Sequence, residues 1–362
     1  MNNDLPVLRE ISRFFYRTNG IYQKVVNYFA FMYRYDWYAV PEVFSESVGE
    51  KKITTEFAKV LDYLDNSHIK KMCGDIALKV IRDGVFWGYV VEGEDGMYIQ
   101  ELPWKWCRSR YTIKGIPAVE FNMKFFDATF LDVSYRMKVL DLFPKEFKQG
   151  YMLYKQGKLP CDCITEDHKH GSWYLLDSTY AFKFAIAGTG DAPLFVNAIP
   201  ELIDLKTTQG IDRQRQLQKL LKIIVQQLPL DKNGDLIFDV DEARDIHQNA
   251  VEMLSDAIGV DVLTTFTDVK GIEVSDANAT VTDDSLNNAE RTVYNALGVS
   301  KNLFNTEGNL ALEKSILADE GSIRDLLLQF EYLYDQCAQR RSTSKKKYNF
   351  RLYMLHTTQY NY

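Results

Sequence analysis

The sequence predicts an α+β fold, and three observations carry that prediction. A strand-rich block lies between Val85 and Met123. Several segments show the three-and-four apolar spacing of amphipathic helices. A long helical pattern begins at Leu310, with apolar residues at Ile316, Ile323, Leu326, Leu327, Phe330, Leu333 and Tyr334.

In chain order, Val7 to Phe31 reads as an aromatic-rich helix, and an extended segment begins at Pro41. Thr54 to Asp83 reads as one or two helices, with Thr54 or Thr55 as N-cap and Asp83-Gly84 as the stop. Val85–Val91 and Met97–Leu102, joined by Glu92-Gly93-Glu94-Asp95-Gly96, read as a hairpin. Leu102-Pro103 leads to Cys107-Arg108, and Val119–Met123 alternates as a further strand. Asp132 to Gly150 is helical, with Pro144 kinking it or opening a second helix. Trp173–Leu176 and Ala181–Ile186 are short strands of a small β insertion expected to stand apart from the main body.

A helix is expected from Ile199 to Pro229, with Leu217, Leu220, Leu221, Ile224, Val225 and Leu228 as its apolar stripe. Arg213, Arg215, Lys219 and Lys222 lie off that stripe, on the polar face. Leu236–Phe238 reads as a strand, Ala243–Ile258 as a helix, Val260–Val269 as strands and Asp283–Gly298 as a capped helix. Next comes an apolar turn, Leu297-Gly298-Val299-Ser300-Lys301-Asn302-Leu303-Phe304, then a polar loop, Asn305-Thr306-Glu307-Gly308-Asn309, then the long helix. Gly321 should bend that helix or mark a close packing contact. After the basic stretch Arg340–Lys347, Tyr348–Leu355 alternates as a strand.

Composition bounds the function. The chain has 362 residues, enough for two or three domains. A formal charge of -7 argues against a protein that grips nucleic acid by neutralising phosphates, though not against one that encloses DNA. The 22 Tyr, 21 Phe and 5 Trp suit strand-rich regions and subunit interfaces. Five scattered cysteines form no disulfide framework and fit a reducing compartment. No basic start with an apolar core marks a signal peptide, and no apolar run is long enough to span a bilayer, so no membrane partner is expected.

Chemistry has little support. There is no Gly-x4-Gly-Lys-Ser/Thr loop, no HExxH and no GxSxG. Cys161, Cys163, His168 and His170 are the one cluster of metal-ligand character. Their CxC and HxH spacings depart from the wider spacing of structural zinc sites, so a surface loop is the stronger reading. Acidic pairs such as Asp239/Asp241 and Asp283/Asp284 read as caps and solvated faces. No enzyme activity and no cofactor are expected.

The Leu297–Phe304 turn, polar loop and long helix resemble the segment of tailed-phage portal proteins in which a "GVS/P-x-x-L" turn leads into the tunnel loop and the long wing helix. Tyr16–Tyr22 through Tyr38–Pro41 resembles the N-terminal wing. Asp83-Gly84-Val85-Phe86-Trp87-Gly88-Tyr89, the hairpin and the Leu-Pro turn before Cys107-Arg108 are also similar to the wing. Thr358-Gln359-Tyr360-Asn361 resembles the "T-x-(F/Y)-N" phrase at the crown's base.

The resemblance implies a portal fold with this order: N-terminal wing 1–131, first stem helix region 132–158, β clip 159–198, second stem helix 199–229, wing α/β segment 230–297, tunnel loop 298–310, long wing helix 311–341 and the start of a crown or C-terminal strand 342–362. The crown is expected to be short or absent.

The implied function is that of one subunit in a homo-oligomeric, dodecameric ring at a capsid vertex of the virion. The ring conducts double-stranded DNA during packaging and ejection. Implied partners are other copies of the chain, terminase, the major capsid protein and head-completion or adaptor proteins. Asn302, Asn305, Thr306, Glu307 and Asn309 would face the DNA, and some of Arg213, Arg215, Lys219 and Lys222 would face the channel or a neighbouring subunit. The competing readings are a metal-dependent DNA-processing enzyme and a different head–tail connector.

Overall fold

The structure is a computed structural model of the chain. It describes residues 4–45, 49–113, 115–160, 171–220, 222–232, 237–254, 260–265, 284–300, 310–343 and 345–359. The chain divides into two compact units, Met1–Asn197 with Asn302–Tyr362, and Ala198–Lys301. Helices and sheets are mixed in both, as an α+β fold requires.

The first unit opens with α1 (Leu5–Thr18) and α2 (Gly20–Ala30), where one helix was expected. Asn19 divides them. Its backbone is extended and its side chain accepts the Tyr22 N–H at 3.0 Å, so a local cap outcompetes helix continuation. After β1 (Trp37–Val43) come α3 (Glu50–Asn66) and α4 (Ile69–Asp83). Thr54 and Thr55 are not caps: they lie inside α3 and donate to the carbonyls of Glu50 and Lys51 at 3.0 and 2.8 Å. The expected stop after Asp83 is present, with Gly84 at φ +85° and its N–H on the Val80 carbonyl at 2.8 Å.

The hairpin forms from β2 (Phe86–Glu92) and β3 (Met97–Glu101), closed by Gly93 N–H on the Gly96 carbonyl at 2.8 Å. Then follow β4 (Cys107–Arg108), β5 (Thr112–Ile113), β6 (Ile116–Pro117), β7 (Glu120–Asn122), α5 (Lys124–Thr129), α6 (Val133–Leu142) and α7 (Lys145–Lys155). Pro144 opens α7 as a second helix rather than kinking the first. Next are β8 (Trp173–Leu175) and β9 (Ala181–Phe184). These strands do not stand apart. β8 pairs with β7 and β9 with β2, completing sheets of order β4-β7-β8 and β3-β2-β9. Ala181, Phe182 and Phe184 are all buried, and an isolated pair of short strands could not cover them.

The second unit contains α8 (Ile199–Leu220), β10 (Lys222–Gln227), α9 (Val240–Leu254), β11 (Val260–Thr265) and α10 (Asp284–Leu297). β10 and β11 are parallel, and α8 packs on α10. Two expectations need correction here. The helix from Ile199 ends at Leu220, because the β-branched run Ile223-Ile224-Val225 favours a strand and its apolar residues fit either period. Ile237 and Phe238 form a bend, not a strand.

The chain then returns to the first unit as α11 (Leu310–Arg340) and β12 (Tyr348–Met354). α11 runs through Gly321 unbroken, and a Cβ there would meet nothing within 4 Å, so no close contact explains that glycine. β12 pairs antiparallel with β1, Trp37 opposite Met354 and Val43 opposite Tyr348. Tyr348, Phe350, Leu352 and Met354 are buried, the period-two face seen in the sequence. Much of the aromatic content fills the first unit's core. There Phe121 meets Phe147 edge-on at 5.3 Å, and Phe126 meets Phe143 edge-on at 5.1 Å.

Candidate functional site

The apolar turn singled out in the sequence is a helix stop. Gly298 ends α10 at φ +69°. Its N–H bonds to the Asn295 carbonyl at 3.1 Å and the Val299 N–H to the Tyr294 carbonyl at 3.2 Å, the paired reverse bonds of a glycine-stopped helix. Val299 is buried, as is Val293 in the last turns of the helix, the two positions where such stops carry apolar residues. Asn302, Asn305, Thr306, Glu307 and Asn309 lie outside the described residues.

Beyond them, α11 is firmly seated in its own unit. Ile323, Leu326, Leu327, Phe330 and Tyr334 are buried. Asp335 accepts from Arg351 Nε at 2.9 Å and from the Leu352 N–H at 3.0 Å, and Glu331 accepts from the Met354 N–H at 2.9 Å. These carboxylates satisfy donors of β12 and fix the helix against that strand. Towards its N-terminal end, Asp319 accepts from the Tyr28 hydroxyl at 3.1 Å. Burial pushes the Asp319 carboxyl up to about 6.

The four bases of the expected second stem helix do not share one helix. Arg213, Arg215 and Lys219 belong to α8, with Arg213 exposed, whereas Lys222 opens β10. Cys161, Cys163, His168 and His170 lie outside the described residues, and no group of metal-ligating side chains occurs among those described. The basic stretch after α11 is divided in role. Arg340 pairs with Glu92 at 2.7 Å, and Arg341 lies over the Tyr63 ring at 3.6 Å while donating to the Gly93 carbonyl. Lys345, Lys346 and Lys347 are exposed.

Two surface features escaped the sequence reading, both in the first unit. One is a groove of about 790 Å³ between α11 and the outer edge of β9. Its floor includes Phe182 and Phe184, and one wall carries Leu328 and Tyr332, each about half exposed. β9 is an edge strand, and Gln329 covers part of that edge, donating to the Ala185 carbonyl at 2.8 Å and accepting its N–H at 3.4 Å.

The other feature is α1, whose polar side faces inward. Arg9 and Ser12 are buried, whereas Val7, Ile11 and Phe14 are exposed. Burial alone would raise the Asp83 carboxyl, but the guanidiniums of Arg82 and Arg13 overcome it and hold Asp83 below its ordinary value. Arg13 donates to Asp83 at 3.0 and 2.8 Å, and Arg9 donates to the backbone carbonyls of Asp83 and Asp191 at 2.9 and 3.0 Å. This polar cluster ties α1 to α4.

No family model matches the chain, and no curated protein matches it. No helix among the described residues is long and apolar enough to cross a membrane.

Proposed function

We propose that this chain is a subunit of a phage portal, a homo-oligomeric ring at one capsid vertex of the virion. Its axial channel passes double-stranded DNA inward during packaging and outward at ejection. The ring docks terminase first and head-completion or tail proteins later.

The observation that carries the reading is the order at the end of the second unit. A glycine-stopped helix, Asp284–Leu297, is followed by the polar sequence Asn305–Asn309 and then by a 31-residue helix held from Asp319 to Asp335 by buried side chains and paired carboxylates. A short polar sequence after a helix stop and before a long helix is the order that the tunnel-loop reading calls for. The charge supports the same reading. A channel must confine a polyanion without trapping it, and an acidic chain makes few strong phosphate contacts to act as a brake.

Size-exclusion chromatography followed by negative-stain microscopy of the purified chain tests the proposal. The expected result is a ring with a central hole. A monomer whose nuclease activity depends on a divalent metal would replace this reading with a DNA-processing enzyme. An assembly without an axial opening would replace it with a different connector.

A further inference from the structure

The outward apolar stripe of α1 and the groove beside α11 are complementary, and the geometry points to a contact between them across two copies of this chain. The inference rests on the ring reading in one respect, the closure of successive contacts into a ring.

Val7, Ile11 and Phe14 recur at i, i+4 and i+7, so they form one stripe along α1. They are 55%, 37% and 61% exposed, although a helix of a folded unit ordinarily turns such a stripe inward. The stripe has no route into its own groove. The opposite side of α1 is tied to Asp83 and, through Arg9, to Asp191, which itself lies on the groove's rim. Stripe and groove can therefore meet only between two copies of the chain.

Spacing and charge select that pairing. Along α11 the groove wall presents Asp325, Leu328, Tyr332 and Gln336 on successive turns. Run antiparallel to it, α1 presents Arg17, Phe14, Ile11 and Val7 on its own successive turns. Phe14 then meets Leu328, Ile11 meets Tyr332, and Arg17 meets Asp325. Arg17 is exposed in the last turn of α1, with no ion pair among the described residues. Among the described residues the Asp325 carboxylate accepts from the neutral amide of Gln329 alone, at 2.8 Å. Val7 falls opposite the polar Gln336 at the far end, so each copy offers one cation where the next offers one anion, beside two apolar pairs. This is recognition of an amphipathic helix by an apolar groove, read at i, i+4 and i+7. The two surfaces differ, so the contact is head-to-tail and each copy keeps one stripe and one groove for its neighbours.

The test uses the full chain. In the double variant Phe14→Cys with Leu328→Cys, mild oxidation should give a ladder of cross-linked oligomers on a non-reducing gel. The wild type and each single variant should not. Arg17→Asp alone and Asp325→Arg alone should each abolish the oligomer peak in size-exclusion chromatography, and combining them should restore it. Arg17 is exposed, so thermal unfolding of Arg17→Asp should match the wild type and separate lost association from lost folding. Rings that persist in Phe14→Asp, together with no ladder from the double-cysteine variant, would overturn this contact while leaving the portal reading in place. A ladder from assemblies that are not rings would sustain the contact and overturn the portal reading. A wild-type chain that stays monomeric would overturn both.

Discussion

Asp83 and Asp319 are both buried, yet the fold treats their charges in opposite ways. Asp83 is held ionised by Arg13 and Arg82, so its contribution to stability is present above the usual carboxylate range and is lost as pH falls through its lowered value. Asp319 accepts from the neutral Tyr28 hydroxyl, and burial raises it to about 6. The folded chain therefore prefers Asp319 protonated. As pH rises from about 4, where the unfolded carboxylate ionises, to about 6, the folded state alone retains the proton and stability falls. Asp319→Asn removes that penalty and keeps an acceptor for Tyr28. It should stabilise the protein by roughly 1–2 kcal/mol at pH 7, allowing for solvent screening, and by little at pH 4.5. Thermal melts at the two pH values check this; equal gains would refute the assignment.

At the scale of elements, Gly298 carries the stop of α10. A Cβ there would meet nothing within 4 Å, so the cost of a side chain is that of the left-handed backbone alone. Gly298→Ala should lower stability by about 1–2 kcal/mol and Gly298→Asn by less, because Asn tolerates that conformation. Urea midpoints in the order wild type, Asn, Ala are expected, and an unchanged Ala variant would contradict the mechanism. The stop at Asp83-Gly84 was legible in the sequence because it depends on local chemistry, whereas Leu297-Gly298 was read as the start of an apolar turn and its role as a helix stop emerged from the backbone. The break at Asn19 was equally local, yet it was hidden inside a continuous aromatic run. The helix-to-strand change after Leu220 was not legible, since Leu220, Ile224 and Val225 satisfy both periods and a partner strand decides the outcome. The outward stripe of α1 was hidden for another reason. Amphipathicity defines two faces but does not say which one the core takes, and here three arginines about Asp83 decide it.

The whole molecule is organised by where its chain crosses between units. The first unit is assembled from residues on both sides of Ala198–Lys301, and β1 has β12 as its partner strand. Those long-range pairings were invisible in the sequence, where each strand could be recognised but not matched. They make the C-terminal segment structural. Ending the chain after Lys301 removes α11 and β12, and with them the buried Phe330, Tyr334, Phe350 and Leu352. Such a truncation should lose the first unit's cooperative thermal transition by circular dichroism. If that transition survived at its original temperature, the pairing of β1 with β12 would not be what closes the unit.

The β1–β12 ladder also imposes a schedule. On a ribosome β1 emerges early, but its partner follows roughly 300 residues later, on the order of 15–60 s at ordinary elongation rates. Over that interval β1 carries an open edge, and the surfaces destined for α11 stay uncovered. Residues of the second unit are synthesised within the same wait and can fold before the first unit is complete. Newly made chains would be most vulnerable to premature pairing with one another in that window, before the last strand is delivered.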